Sequence, residues 1–247
     1  EHFAAGRELS SVRLRHYTAA FERDLHLTGL ELLDRFTRRC MLQYFPEARG
    51  DERRIHTVRM ITSLKGNRRS LQKYLRARRK GQHDYIQQHP ANITWWKGRS
   101  PQFRKVWREG LSHRVMDPAL GMEFEFDMHE VLRMGTYAES CLGLGGMYQH
   151  NTVAVLLDAN KQVVFARKSD GAFVARQILA ISDENRLVCH EVYGVDTGEA
   201  IQQAFRAYDL RLARALNIEI QADYDYSIAP LLAERWYDDG CWTLTEE

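Results

Sequence analysis

Two groups of residues in this sequence have types and spacings suited to chemistry. The first is a thiol in a loose stretch of chain, Ser140-Cys141 followed by Gly143, Gly145 and Gly146. Glycine lets the backbone come close to a ligand, and a thiolate is a nucleophile once a base has taken its proton. A suitable base lies downstream at His190. With Asp170-Gly171 as a two-residue hairpin turn, the register pairs Phe165 with Arg176 and Val163 with Ile178. Arg176 then shares a face with Val163, Val174 and Ile178. A third strand, folded back through residues 182–185, brings His190 opposite Ile178 on that same face. A guanidinium so placed needs a carboxylate, carbonyls or a bound anion, which makes Arg176 a candidate anion-binding residue. The implied chemistry is acyl transfer, with Cys141 attacking, His190 as base and loop amides holding the oxyanion. Glu191 points away in this register, and Asp158 or Asp196 could orient the imidazole only where the loops bring them to it.

Thiol first and imidazole later on a strand is similar to the chain order of papain-like and transglutaminase-like thiol enzymes. The residues around the thiol, Glu139-Ser140-Cys141-Leu142-Gly143, carry the local signature of neither. The competing structural roles are a packed cysteine, a satisfied core histidine and an ion-paired arginine. The glycines precede no GK[ST] and fit no GxGxxG, so the signal for a nucleotide phosphate loop is weak. No CxxC, HExxH or clustered Cys/His spacing is present, and the expected cofactor and metal content is none.

The second group is basic and aromatic. Residues 1–110 hold 24 Lys and Arg against 11 Asp and Glu, whereas residues 111–247 hold 11 against 22. Between Arg53 and Arg108 there are 16 basic residues and one acid, Asp84. A single predicted helix carries Arg68, Arg69, Lys73, Arg76, Arg78, Arg79 and Lys80, and Trp95, Trp96, Arg104 and Lys105 follow. Cations neutralise phosphates and aromatic faces accept stacked bases, so this stretch suits a nucleic acid met through its backbone. An acidic protein surface is the other partner of matching charge, and the acidic half of the chain is one such surface. Helix-turn-helix, zinc-finger and RNP signatures are absent, so nothing here supports base-specific reading.

The elements that must position these residues follow from periodicity. Two helices are expected within 10–45 and a helix, turn and helix within 51–80, broken at Gly66-Asn67. Ser100-Pro101 starts a short helix that buries Phe103, Val106 and Trp107. Residues 152–157 fit helix or strand equally. Residues 162–167, 172–181 and 187–193 form a three-stranded antiparallel meander, Asp196 and Glu199 mark the start of a long helix, and 228–236 end in a short one. The expected fold is α+β: a basic all-helical region over 1–114, then an acidic α+β domain over 115–247 containing the Cys141 loop, with its meander flanked by helices. Four scattered cysteines suit reduced thiols in a cytoplasmic protein, and no apolar run of membrane-spanning length occurs. Three functions are compatible with this pattern: nucleic-acid (polyanion) binding, a cysteine peptidase or amidase, and a protein-protein interaction module of a larger chain.

Overall fold

The computed structural model describes residues 66–116 and 119–237, all within the unit His56–Glu247. The helices expected in 10–45 and the first helix of 51–80 lie outside the described residues. The helix after the Gly66-Asn67 break is present as α1 (Arg68–Arg79), with Asn67 in the left-handed region at φ 55°. Leu71, Tyr74, Leu75 and Ala77 turn inward from α1, leaving its cations on the other side. The polar and aromatic stretch that follows forms two short helices, α2 (Tyr85–Gln88) and α3 (Pro90–Trp96). In α4 (Pro101–Glu109) the Ser100 hydroxyl accepts from the Phe103 amide at 3.1 Å, and Phe103, Val106 and Trp107 are buried.

The fold is α+β, and its sheet is a five-stranded antiparallel meander rather than a three-stranded one. The strands are β1 (His113–Met116), β2 (Ala119–Phe124), β3 (Lys161–Lys168), β4 (Phe173–Ile181) and β5 (Leu187–Gly194), in sequential order. β2 alternates a buried Leu120, Met122 and Phe124 with an exposed Ala119, Gly121 and Glu123. Between β2 and β3 run α5 (Met128–Tyr137) and α6 (Asn151–Leu157), which resolves 152–157 as helix. The long helix α7 (Glu199–Leu216) follows β5 and stops where Asn217 turns left-handed. Among the described residues no helix is long and apolar enough to cross a membrane.

The sheet is the middle of three layers. On one face Val164, Ala166, Leu179, Ile181 and Cys189 meet Phe205, Tyr208 and Leu212 of α7, together with Trp96, Phe103 and Trp107 of α3 and α4. On the other face Val163, Phe165 and Ile178 meet Val131 and Met134 of α5, Val155 of α6 and Leu142. Residues on both sides of position 114 therefore contribute to one core.

The expected helix over 228–236 is absent. Residues 228–237 are extended or bent, because side chains elsewhere have taken their backbone groups. The Asp158 carboxylate accepts from the amides of Leu231, Leu232 and Ala233 at 3.2, 2.7 and 2.8 Å. Asp158 is itself buried and ion-paired to the buried Lys161 at 3.0 Å.

A second buried carboxylate sits on the α7 side. Asp209 accepts from Gln177 Nε2 at 3.1 Å and from the Cys189 thiol, and burial pushes its carboxyl up to about 7. Between the ordinary value of 3.8 and about 7 the folded protein therefore holds a proton that the unfolded chain has released. This costs stability progressively as pH rises through that window, and the cost levels off above it. Asp209→Asn should remove the effect. In urea titrations, the variant should gain a few kcal/mol on the parent between pH 5 and pH 8; a pH-independent difference would refute it.

Candidate functional site

The Cys141 loop is built on the end of α5. Asp127 starts this helix by accepting from the amides of His129 and Glu130 at 2.8 and 3.2 Å. At its last turn, Gly135 lets the returning chain touch the helix, since a Cβ there would collide with the backbone of Leu142 and Gly143. The loop then closes on itself. Ser140 N donates to Gly135 O at 2.9 Å, Gly143 N to Ser140 O at 2.8 Å, Gly146 N to Gly143 O at 2.8 Å and Tyr148 N to Cys141 O at 3.0 Å. Leu144 N donates to Thr136 Oγ1 and Gly145 N to Gln149 Oε1. Leu142 is buried beneath, and Cys141 is exposed.

Under this loop lies Arg176, wholly buried on the interior strand β4. Its Nη2 donates to Ser140 Oγ at 3.2 Å, and its guanidinium lies 4.6 Å from the centroid of the Tyr193 ring on β5. The register is the one the hairpin turn implies, with Val163 opposite Ile178 and Phe165 opposite Arg176. Val174 departs from it. A bulge between Ala166 and Arg167 leaves Arg167 opposite Phe173, and Val174 joins the α7-side core instead of the face that carries Arg176.

The β4–β5 pairing slips between Gln177 and Leu179, from Leu179 opposite Cys189 to Gln177 opposite Val192, so His190 sits at an irregularity. Gln177 Nε2 donates to His190 O at 3.0 Å and fixes the bulged backbone. The imidazole is fully buried, with the Trp236 ring 5.8 Å away; Trp236 also packs on the Val163–Phe165–Ile178 cluster. Arg176 and His190 thus occupy one face, with Ser140 in contact with the arginine.

Two features of the proposed thiol chemistry are corrected by this geometry. The amides of Gly143, Leu144, Gly145 and Gly146 are spent inside the loop, so they are not open donors for an oxyanion. The three acids considered as orienting groups are engaged elsewhere. Asp158 holds Lys161 and residues 231–233, Asp196 accepts from Gly198 N at 3.0 Å, and Glu191 accepts from Tyr193 Oη at 3.2 Å.

The basic group is differently arranged. Arg68, Arg69, Lys73, Arg76, Arg79 and Lys80 are exposed on α1, whereas Arg78 is half-buried and donates to Tyr74 Oη at 3.1 Å. Arg104 and Lys105 are exposed on α4. Trp96 is a core residue with the Arg108 guanidinium 4.7 Å from its ring, and Trp95 is half-buried with Arg99 at 4.8 Å. An arginine therefore lies over each tryptophan ring.

Tyr193 and Trp236 belong to the site and were not singled out from the sequence. Tyr193 comes within reach of Arg176 only through the β5 slip, and Trp236 arrives on a segment that has neither helix nor strand. Among the described residues no group of three or more His, Cys, Asp or Glu could hold a metal ion. No protein-family model and no curated protein matches the chain.

The two described cysteines differ in access, Cys141 being exposed and Cys189 buried against α7. Brief iodoacetamide treatment of the native protein, read by peptide mass spectrometry, should label Cys141 at least ten-fold faster than Cys189. Equal rates would contradict this placement.

Proposed function

We propose that the chain binds nucleic acid through its phosphate backbone, with α1 as the contact surface. One observation carries the reading. Arg68, Arg69, Lys73 and Arg76 of a single 12-residue helix, with Lys80 at its C-cap, project into solvent, and none of the five forms an ion pair among the described residues. Four described acids of the C-terminal half, Glu125, Glu130, Asp158 and Glu219, pair instead with cations of that same half, Glu125 and Glu130 with Arg167 at 2.6 and 3.3 Å. Like charges on one helix repel each other, and a polyanion relieves that repulsion while releasing its own counterions.

Arg69, Lys73, Arg76 and Lys80 follow one another at intervals of three or four residues, a stripe about 16 Å long at the helical rise. This length suits a run of phosphates along one strand. With Trp95 and Trp96 covered by Arg99 and Arg108, base stacking contributes little, and single and double strands should bind by the same charge term.

The test is the salt dependence of binding to fluorescent oligonucleotides. Log affinity should fall linearly with log salt, and replacing Arg69, Lys73, Arg76 and Lys80 with Glu should weaken binding at least 100-fold. Each cation removed should also reduce the slope by about 0.7–0.9. Unchanged affinity for the four-fold variant across salt concentrations would overturn the proposal.

A second reading, thiol-dependent acyl transfer, is favoured by the exposure of Cys141 above the buried Arg176. It requires an electrophilic acyl probe to form an adduct that Cys141→Ala abolishes and His190→Ala slows at least 100-fold. Equal labelling of the parent and the His190 variant would remove the histidine from the chemistry.

A further inference from the structure

Residues 229–237 have no helix or strand of their own, yet their main chain is bonded residue after residue by side chains of the folded body. Asn160 Nδ2 and Lys161 Nζ donate to Ala229 O at 2.8 and 3.1 Å. Asp158 takes the amides of Leu231, Leu232 and Ala233, and Ser70 Oγ donates to Leu232 O at 2.6 Å. Asn67 then accepts from Arg235 N and donates to Arg235 O, both at 2.8 Å. Two residues on, Asn151 accepts from Tyr237 N at 2.6 Å and donates to Tyr237 O.

The two asparagines thus behave as rungs of an antiparallel ladder, exchanging both bonds with residues i and i+2 of an extended chain. Both side chains are buried, at 1% and 0% exposure. An empty cleft would take from these groups their bonds to the segment's backbone, leaving Asn67 with only His150 O at 2.8 Å and Asp158 with only Lys161 at 3.0 Å, at a cost for each bond lost. The cleft therefore demands an extended backbone. None of the bonds depends on which chain supplies it.

We propose that this cleft, lined by Asn67, Ser70, Asn151 and Asp158, is a binding site for extended polypeptide, and that a second copy of this chain can supply its own 229–237 segment in trans. The side chains argue for this segment as the occupant. Tyr237 stacks on Tyr148 with centroids 3.8 Å apart, Trp236 lies 4.8 Å from Lys161 Nζ, and Leu232 and Ala233 are buried. The connection from α7, residues 217–228, has no helix or strand of its own and is held by the Leu187–Ile220 bridge and by Asp183 N donating to Ser227 O at 2.9 Å, the bonds that must open for the segment to leave. After exchange, Trp236 of one copy lies on His190 of the other, and each candidate site is completed by its neighbour. This inference is independent of nucleic-acid binding by α1.

A complementation experiment tests it. One full-length variant has the cleft disabled (Asn67→Ala with Asn151→Ala). The other has the segment disabled (Arg235→Pro with Tyr237→Pro), which removes the two amides the asparagines accept. Mixed at about 100 µM, below the roughly millimolar effective concentration of a tethered segment, the pair should form a 1:1 complex of doubled mass by light scattering, while each alone stays monomeric. Two monomers in the mixture, with amide protection in β4 intact in both variants, overturns the proposal. Should either variant unfold, the parent chain decides. A labelled peptide of residues 227–237 should bind it saturably in the millimolar range, and N-methylation at Arg235 and Tyr237 should abolish binding. Absence of saturable binding overturns the proposal equally.

Discussion

The contact between Asp158 and Lys161 ties together more of this structure than any other. Both side chains are fully buried, and neither charge would survive there alone. Lys161 distributes its three protons over Asp158, Asn160 and Ala229 O, while Asp158 fills its remaining capacity with the amides of residues 231–233. Burial lowers the affinity of Lys161 for its proton and the Asp158 carboxylate raises it again, with the lowering dominant. The pair sits where α6 ends and β3 begins. One ionic contact thereby sets the turn into the sheet, the start of a central strand and the path of the 229–237 segment.

A second polar chain crosses the sheet. The Gln177 amide bonds Asp209 of α7 on one side and the carbonyl of His190 at the β5 irregularity on the other. The backbone at His190 is therefore held by a residue facing the opposite layer, and the core on the α7 side and the candidate site are mechanically joined. Arg176, one position before Gln177 on β4, points to the loop side, so adjacent residues of a single strand serve the two polar systems.

Much of this was legible in the sequence because it is local. The Asp170-Gly171 turn fixed the pairing of Phe165 with Arg176 by counting alone, and the apolar stripe of α7 and the Ser100 cap needed no long-range information. β2 is legible as well, since Leu120, Met122 and Phe124 alternate with Gly121 and Glu123 at period 2. Position 174 was not accessible, since a bulge moves it to the other face without leaving a mark in composition. The 229–237 segment was misread as a helix for a different reason. Its apolar spacing is compatible with one, and the groups that prevent it are side chains 46 to 168 positions away in sequence. The exhaustion of the loop amides was similarly hidden, because it depends on Thr136 and Gln149 folding back to them.

The separation between Asn67 and Arg235 also has a consequence for synthesis. Their hydrogen bonds span 168 residues, so Asn67, Ser70, Asn151 and Asp158 have all left the ribosome before the backbone that satisfies them is made. At translation rates of roughly 5–20 residues per second, Asn67 waits on the order of ten seconds or more for its partner. During that interval the sheet can form while its cleft stays open, and any extended chain nearby, including another nascent copy on the same message, meets it before the native segment does.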